Sequence, residues 1–196
     1  MDHAADTDEA DAMPTRHKLD ADAFYRMAEA GILGEDDRVE LIDGDIIDMA
    51  PIGQGHMATV CGLNRALVMA CKTKAIVWVQ SSVRLDRLRV PQPDFAVLRP
   101  RADFYATGAP PGPADILLLV EVADSSLRYD TRVKLPLYAR VGIPELWIVD
   151  MRRRALDAYR RPEDGAYAEV ATRRPGDRLA LAAAPAITVR LDLAFG

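Results

Sequence analysis

LLLVEVADSS, residues 117–126, is a continuous apolar run of the kind that fills the middle of a β-sheet, and it carries one carboxylate, Glu121. Side chains alternate along a strand, so Glu121 shares a face with Leu119 and Ala123. Burying an unpaired carboxylate costs several kcal/mol, which means that Glu121 needs a cation, a guanidinium or a metal ion beside it. From this run alone, a purely structural Glu–Arg or Glu–Lys pair explains the residue equally well.

Hydrophobic periodicity and turn signals on both sides of the run predict a mixed chain of helices and strands. A helix over 20–32 has Asp20 as its N-cap and Gly31 at its end. A hairpin over 38–50 turns at Asp43-Gly44, a favoured tight-turn pair. The other predicted elements are a helix that follows Gly55, strands over 75–80, 82–90, 93–99 and 145–150, a helix from 124–126 to about 141, and a hairpin near 163–165 before short closing strands. This order predicts an α/β fold (an α+β mixed sheet) with helices flanking the sheet.

Length and composition limit the classes of protein that fit. With 196 residues we expect one domain over 20–196, with accessory strands from about residue 151, and a disordered polar tail over 1–19. No apolar stretch approaches the roughly 18 to 20 residues of a membrane helix, so no membrane association is expected. Cys61 and Cys71 have no metal-binding spacing, and we interpret them as reduced core thiols of a cytoplasmic protein. The net charge of −5 argues against a broad nucleic-acid-binding face but leaves a local basic cleft open.

Charged residues occupy three further positions where the surrounding apolar residues and prolines suggest burial or the end of a strand. Pro93 cannot donate to a ladder and places Asp94 at the start of a strand. Glu40 is flanked by apolar residues in RVELIDG, and Lys134 lies in the helix that follows the central strand. Each has an ordinary alternative. Asp94 could serve a strand-entry turn, and Glu40 could lie on an exposed edge strand. Lys134 could form a surface i,i+4 pair with Asp130, which is worth only about 0.3 kcal/mol.

Taken together, the acids and the lysine suit metal-dependent chemistry. Oxygen ligands from Asp94, Glu121 and Glu40 fit a hard cation such as Mg²⁺, with Mn²⁺ as its substitute. Lys134 beside the ion would orient or deprotonate an attacking water and stabilise charge on a phosphate. This is the arrangement that phosphodiester cleavage requires.

The same segments resemble the Uma-two family of restriction endonucleases, part of the PD-(D/E)XK nuclease superfamily, from about Tyr25 to Asp150. The resemblance rests on RVELIDGDIIDMAPIGQGH (38–56), VWVQSSVRL (77–85), VPQPDFAVL (90–98) and LLLVEVADSSLRYDTRVKLPLYARVGIPELWIVD (117–150). It implies a restriction-endonuclease-like core and a metal-dependent nuclease site that acts on DNA. A homodimer would, by analogy, let two sites act on two strands.

The family's site residues map onto individual positions of this chain. Asp94 matches the PD aspartate, Glu121 the second acid, and Glu40 the acid of the early segment. The chain departs from the superfamily pattern at Ala123, where a lysine would share the face of the acid. The resemblance makes Lys134, in the following helix, the matching lysine, since its long stem can reach the same ion. Pro136 should interrupt that helix near 132–135.

Accessory residues are also suggested. His56, at a helix start, could face the cleft or serve the helix terminus, and Gln80 could hold a metal-bound water or be a core-edge amide. Asp130 could anchor Lys134. Arginines on a strand-like segment could form a phosphate-binding rim or an ordinary solvated edge; they are Arg84, Arg87, Arg89, Arg99 and Arg101.

Two functions follow from these residues. The first is a Mg²⁺-dependent endonuclease that hydrolyses phosphodiester bonds, with DNA as substrate. The alternative is a catalytically degenerate, nuclease-fold binding or interaction module, which the acidic net charge and the alanine at position 123 favour. Metal affinity distinguishes them, because a degenerate site should bind neither Mg²⁺ nor Mn²⁺.

Overall fold

The structure, a computed structural model that describes residues 15–34 and 36–195, is a mixed α/β fold built on a six-stranded sheet. The helices are Ala21–Glu29 (α1), Gln54–Cys71 (α2), Leu127–Tyr129 (α3) and Leu135–Arg140 (α4), with a π-helical turn at Asp130–Lys134 and 3-10 turns at Pro113–Asp115 and Leu191–Phe195. The strands are Val39–Ile42 (β1), Asp45–Asp48 (β2), Ile76–Val79 (β3), Phe95–Leu98 (β4), Ile116–Ala123 (β5), Glu145–Asp150 (β6), Ala155–Glu163 (β7), Ala166–Arg173 (β8), Arg178–Leu181 (β9) and Ala184–Arg190 (β10). The predicted fold class is confirmed.

The six-stranded sheet has the order β3-β4-β5-β6-β7-β8, and β1–β2 and β9–β10 form separate antiparallel pairs. Within the six-stranded sheet, β5 and β6 run parallel and the other neighbours are antiparallel. A parallel pair needs a crossover, and here α3, the π turn and α4 supply it. The carboxyl ends of β5 and β6 therefore lie at the same edge of the sheet.

Strand β5 separates two apolar cores and so decides where Glu121 points. Val120 and Val122 pack in the core that includes residues of α2, whereas Leu119 and Ala123 pack in the core that includes residues of α4. Since Glu121 alternates with the first pair, it lies on the face of the sheet that α4 covers.

Two predicted local structures are present with the expected chemistry. Asp20 caps α1, since its Oδ1 accepts the N–H of Ala23 at 2.8 Å. The β1–β2 hairpin turns at Asp43 (φ 49°) and Gly44 (φ 78°), both left-handed. A Cβ at Gly44 would lie 2.8 Å from Cβ of Lys18, so glycine is needed there for space as well as for conformation.

The predicted strand at 82–90 is wrong. Leu85 N–H reaches the carbonyl of Arg89 at 3.0 Å, and Asp86 Oδ1 accepts the N–H of Leu88 at 2.8 Å, so the chain closes a turn. Only Val90 joins a β-bridge, with Leu41. The alternating apolar and charged residues resembled a strand, but the backbone donors are satisfied by the turn instead.

The helix predicted to run to about residue 141 is not one continuous α-helix. Leu135 N–H donates to the carbonyl of Asp130, five residues back, which is the π-helical pattern. Pro136 directly follows and offers no N–H, so the predicted interruption near 132–135 is present and takes the form of this wide turn.

Cys71 is buried, but Cys61 is exposed, so the expectation of two core thiols is wrong for Cys61. Ten helical residues make about 2.8 turns, which places the two thiols on different faces of α2.

Residues 1–14 of the predicted tail lie outside the described residues. From Lys18 the chain already contacts the hairpin: its Nζ is 2.6 Å from Oδ2 of Asp45, and Leu19 N–H donates to the carbonyl of Gly44. At the other end, β7 and β8 form the predicted hairpin around Asp164-Gly165. In the described part of the chain, no helix has the length and apolar character needed to cross a membrane.

Candidate active site

Asp94 and Glu121 face each other across two neighbouring antiparallel strands. The register pairs Phe95 with Val120, so the next pair outward is Asp94 and Glu121. Directly opposed residues point to the same face of a sheet. Asp94 Oδ2 accepts the backbone N–H of Val122 at 2.8 Å, which fixes its carboxylate beside β5.

Glu40 arrives from the separate hairpin. Leu41 and Val90 exchange two backbone hydrogen bonds, 3.2 and 2.8 Å, and so dock β1 onto the segment that leads to Asp94. Glu40 is buried, at 1% exposure, so the exposed-edge explanation does not hold. Its Oε1 accepts the N–H of Gln92 at 2.8 Å.

Lys134 joins the two glutamates. Its ammonium lies 2.7 Å from Oε1 of Glu40 and 3.2 Å from Oε1 of Glu121, with only 4% of the side chain exposed. The surface-pair explanation for Lys134 and Asp130 is wrong, because both residues are 3% exposed. Asp130 accepts a hydrogen bond from the hydroxyl of Ser126 at 2.7 Å.

Three hydrogen bonds hold the carboxylate of Asp94 in place. His56 Nε2 lies 2.9 Å from its Oδ1, and Gln80 Nε2 donates to the same oxygen at 3.3 Å. Gln80 has φ 42°, a left-handed conformation that is uncommon for a non-glycine residue. Its carbonyl accepts the side-chain amide of Gln92 at 2.8 Å. His56 and Gln80 are therefore both brought to Asp94.

Two tyrosines that the sequence analysis did not single out belong to this cluster. Tyr138 is fully buried and donates its hydroxyl to Oε1 of Glu121 at 2.6 Å. The hydroxyl of Tyr129 is buried without a hydrogen-bond partner in the described structure, and Tyr129 lines a cavity together with Glu40, Asp94 and Glu121. One signal was available: Tyr138 follows Lys134 by four residues, the spacing of one helix face.

Gln92 and Arg38 were also missed. Gln92 stands between two prolines in PQPD, which restrict its backbone and aim its N–H at Glu40. Arg38 donates to the carbonyl of Ala50 at 2.8 Å and lines the cavity. A single arginine before an apolar strand carries no spacing signal that would have identified it.

Most of these groups line one cavity of about 280 Å³; Gln80 and Tyr138 lie behind its lining residues Asp94 and Glu121. Its charged lining comprises six carboxylates, from Glu40, Asp48, Asp94, Glu121, Asp124 and Asp130, against the cations of Arg38 and Lys134, with His56 between them. The cavity is therefore strongly acidic and suits a cation.

Burial and charge shift the acid–base behaviour of the cluster. Burial, with Asp130, Asp94 and Glu40 nearby, raises the pKa of Glu121 well above its usual value, although Lys134 opposes the shift. Burial likewise raises the pKa of Asp130. For Lys134 burial acts downward, but Glu121 and Glu40 outweigh it and raise its pKa, so the ammonium keeps its proton.

The ring groups of the cavity are shifted as well. The hydrogen bond to Asp94 raises the pKa of His56 above its ordinary value. Burial raises the pKa of Tyr129 to about 12 and that of Tyr138 well above its usual value, so both hydroxyls remain protonated at neutral pH.

The five arginines of the suggested phosphate rim are engaged in local contacts. Arg89 bridges Asp43 and Asp86 at 2.6 Å, and Arg101 lies 2.6 Å from Asp103. Arg84 pairs with Asp22 at 2.8 Å, Arg87 with Asp20 at 3.6 Å, and Arg99 donates to the carbonyl of Ala114 at 3.0 Å. None of the five arginines lines the cavity, which favours an ordinary solvated surface over a phosphate-binding rim.

The donor set fits Mg²⁺ bound by two carboxylates, but not an all-protein cage. Within the described ranges, no three histidine, cysteine, aspartate or glutamate side chains are grouped so as to hold a metal ion. Glu121 uses Oε1 for both Lys134 and Tyr138, which leaves Oε2 for a ligand. Mg²⁺ commonly takes only one or two carboxylates and completes its shell with water and phosphate. The unpartnered hydroxyl of Tyr129 is a further donor for such water or phosphate.

Comparison with known proteins identifies the family. The model of a family described as "Uma2: Putative restriction endonuclease" matches residues 21–194. The chain belongs to the Uma2 family. The match extends beyond the segments that suggested it and includes the C-terminal strands. Among curated proteins, none matches the chain.

A solved structure shares the fold of this Uma2 chain. It is a crystal structure from Anabaena variabilis described as "a putative nuclease belonging to DUF820". It has a TM-score of 0.68 at 16% sequence identity, and the similarity covers 90% of this chain and 97% of the other. The likeness supports the fold, and family membership supports a nuclease function.

Proposed function

We propose that this Uma2 protein is a Mg²⁺-dependent endonuclease that hydrolyses phosphodiester bonds of DNA. The observation that carries the proposal is the buried ammonium of Lys134, which contacts both Glu40 and Glu121 in a cavity that Asp94 also lines. The arrangement is built by four separate segments of the chain: β1, the start of β4, β5 and the π-helical turn. A structural ion pair alone does not require four segments to converge.

In this proposal Asp94 and Glu121 hold the ion, and Glu40 joins through a water. Mn²⁺ substitutes for Mg²⁺ because it accepts the same oxygen ligands. When bound, the ion would lower the pKa of a water and stabilise charge on the phosphate. His56 and Gln80 keep Asp94 in place through the hydrogen bonds to its Oδ1.

Lys134 acts as a hydrogen-bond donor. Since Glu121 and Glu40 outweigh burial and raise its pKa, Nζ keeps its proton and is a poor general base. It therefore orients the attacking water and offsets charge on the phosphoryl oxygens. Glu40 holds the ammonium at 2.7 Å, and Asp130 adds negative charge nearby that keeps the lysine protonated.

The test is a plasmid-nicking assay with the full chain in Mg²⁺, in Mn²⁺ and in excess chelator. We expect nicking with either ion and none with the chelator. Calorimetric titration with each ion accompanies the assay, so that metal uptake is measured independently of cleavage. A protein that takes up neither ion and leaves the plasmid intact contradicts the proposal.

That outcome would support the second candidate, a catalytically degenerate nuclease-fold module that binds or interacts without cleaving. Two observations favour it: Ala123 occupies the face position where a lysine would stand, and no three-ligand metal group is present among the described residues. The two candidates differ in metal uptake before any substrate is added.

Assembly and location complete the proposal. A homodimer would present two cavities to the two strands of a duplex, and sedimentation of the purified chain measures this directly. We place the protein in the cytoplasm, where the unpaired thiols of Cys61 and Cys71 remain reduced.

A further inference from the structure

The turn that joins β6 to β7 carries three consecutive arginines. It reads Met151-Arg152-Arg153-Arg154, and all three arginines are exposed. No other three consecutive positions of the described chain are all arginine or lysine. The proposed site and the two apolar cores make no use of these guanidinium groups.

The turn lies at the rim of the acidic cavity. Met151 N–H donates to the carbonyl of Ala123 at 3.1 Å, which ties the turn to the end of β5. Arg152 Nε is 3.6 Å from Oδ1 of Asp124, a residue that lines the cavity. On the opposite side, a Cβ placed on Gly55 would lie 3.2 Å from Cε of Met151, so the turn also touches the start of α2.

Fold stability does not account for Arg152. The side chains of Arg152 and Asp124 are 75% and 51% exposed, and a pair so solvated is worth about 0–1 kcal/mol. Arg153 is 54% exposed; it pairs with Asp157 at 3.1 Å and lies 3.9 Å from the buried Asp150. A polyanion could displace the solvated Arg152 pair at little cost and would gain forked, charge-assisted hydrogen bonds from its guanidinium group.

The charge distribution explains why DNA binding would need basic residues at this turn. The cavity is lined by six carboxylates against two cations, and the whole chain carries −5, so neither attracts DNA. Nucleic-acid affinity at neutral pH comes largely from lysine and arginine contacts to phosphates. Positive groups therefore have to stand beside the cavity rather than inside it.

We propose that the arginine turn, residues 151–154, binds the DNA phosphates that flank the bond to be cleaved. This inference rests on the proposed nuclease function and names the surface that docks the substrate. Arg152 is its central contact, because it is the arginine whose guanidinium already lies against the cavity rim.

The experiment measures affinity for a short duplex oligonucleotide over a series of salt concentrations, with Ca²⁺ replacing Mg²⁺ to prevent cleavage. Each lost phosphate contact lowers the slope of log affinity against log salt by about 0.9. We expect that decrease for Arg152→Ala and about twice that decrease for Arg152→Ala combined with Arg153→Ala. Arg161→Ala is the matched control: its side chain is 61% exposed and lies 2.9 Å from Glu163 and from Glu169.

Arg161 lies near the far end of β7, about 20 Å along the strand from the turn, and its loss should leave the slope unchanged. An unchanged slope for both turn variants, with wild-type binding intact, would overturn the inference while leaving the nuclease proposal in place. Equal losses in the Arg161 variant would overturn it too, since they would indicate a general charge effect. Absence of duplex binding by the wild type would instead remove both proposals.

Discussion

The ammonium of Lys134 lies 2.7 Å from Oε1 of Glu40, a residue 94 positions earlier in the chain. The same ammonium is 3.2 Å from Glu121, so one side chain joins the β1–β2 hairpin, the central strand and the crossover helix. Removing one partner of a buried ion pair typically costs about 3–5 kcal/mol, because the other charge stays buried. Stability and the proposed chemistry therefore depend on the same atoms and have to be separated by experiment.

Replacement of Lys134 by methionine keeps the apolar stem and removes the charge. We expect cleavage to fall by about 10²-fold, the scale of one lost electrostatic donor. Mg²⁺ affinity should be retained or increased, since a competing cation has gone. The free energy of unfolding should fall by about 3–5 kcal/mol. Plasmid nicking, calorimetry and denaturant unfolding measure the three effects.

Lys18→Met is the control for this variant. Lys18 also pairs with a carboxylate, Asp45 at 2.6 Å, but both side chains are 40% exposed. Its loss should cost less than about 1 kcal/mol and leave cleavage unchanged. If Lys134→Met nicks plasmid at the wild-type rate, the lysine has no part in the mechanism.

The hydroxyl of Tyr138 should matter for metal affinity. It donates to Oε1 of Glu121 at 2.6 Å and so leaves the other carboxylate oxygen for the proposed ion. Hydrogen-bond partners of metal ligands typically contribute 10–100-fold, and we expect Tyr138→Phe to weaken Mg²⁺ binding by about 10-fold or more. Calorimetric titration measures the change in the absence of DNA.

Tyr167→Phe tests whether any lost tyrosine hydroxyl has this effect. Tyr167 donates to the carbonyl of Ile143 at 3.0 Å and does not line the cavity. We expect unchanged Mg²⁺ affinity and a small loss of stability. Equal metal affinity in the Tyr138 and Tyr167 variants would show that the Tyr138 hydroxyl serves packing alone.

Part of the site follows from local rules. A proline before Asp94 marks the start of a strand, and alternation around Glu121 gives its face; the antiparallel register then brings the two carboxylates together. Those statements require only strand geometry. Which strands become neighbours, and in which direction, depends on tertiary packing, and the resemblance to a known family supplied that step.

Other features could not be obtained this way. The alternating pattern of 82–90 suits a strand, but Asp86 accepts a backbone N–H and closes a turn instead. Gln92 reaches Glu40 through a contact between residues 52 positions apart, which no local pattern encodes. The presence of Pro136 predicts that the helix is interrupted, because a proline cannot donate the next backbone hydrogen bond. It does not predict that the interruption is a π-helical turn at Asp130–Lys134.

His56 should show a pH-dependent contribution to stability. The hydrogen bond with Asp94 raises its pKa in the folded state, so the stabilisation is fully present below the unfolded pKa of about 6.5. It is lost as the pH rises through the folded pKa. We therefore expect the stability difference between wild type and His56→Gln to be larger at about pH 6 than at about pH 9.

Denaturant unfolding at the two pH values measures that difference, and NMR titration of the imidazole reports the pKa itself. Asp94→Asn should lower the pKa of His56, because the negative acceptor is removed. A difference that grows with pH, or an imidazole pKa unaffected by the asparagine, contradicts this account of the pair.

Asp94→Asn gives the sharpest test of the proposed metal site. An asparagine oxygen can still accept the N–H of Val122, and the new amide can donate to the neutral imidazole of His56 and, once the Gln80 amide turns over, to the Gln80 side-chain oxygen, so the fold should survive. The negative charge, however, is lost, and we expect both Mg²⁺ uptake and cleavage to disappear. Lys134→Met should differ by retaining uptake.

Asp103→Asn is the control for the aspartate variant. Both oxygens of Asp103 also accept hydrogen bonds, from Arg101 at 2.6 and 2.7 Å, but the residue lies outside the cavity. Its replacement should leave Mg²⁺ uptake and nicking at wild-type levels, because only a local pair is changed. Calorimetry and plasmid nicking on the two variants together decide the matter. A carboxylate that binds Mg²⁺ directly cannot lose its charge without weakening the site. Wild-type Mg²⁺ affinity in Asp94→Asn would therefore show that the ion binds elsewhere.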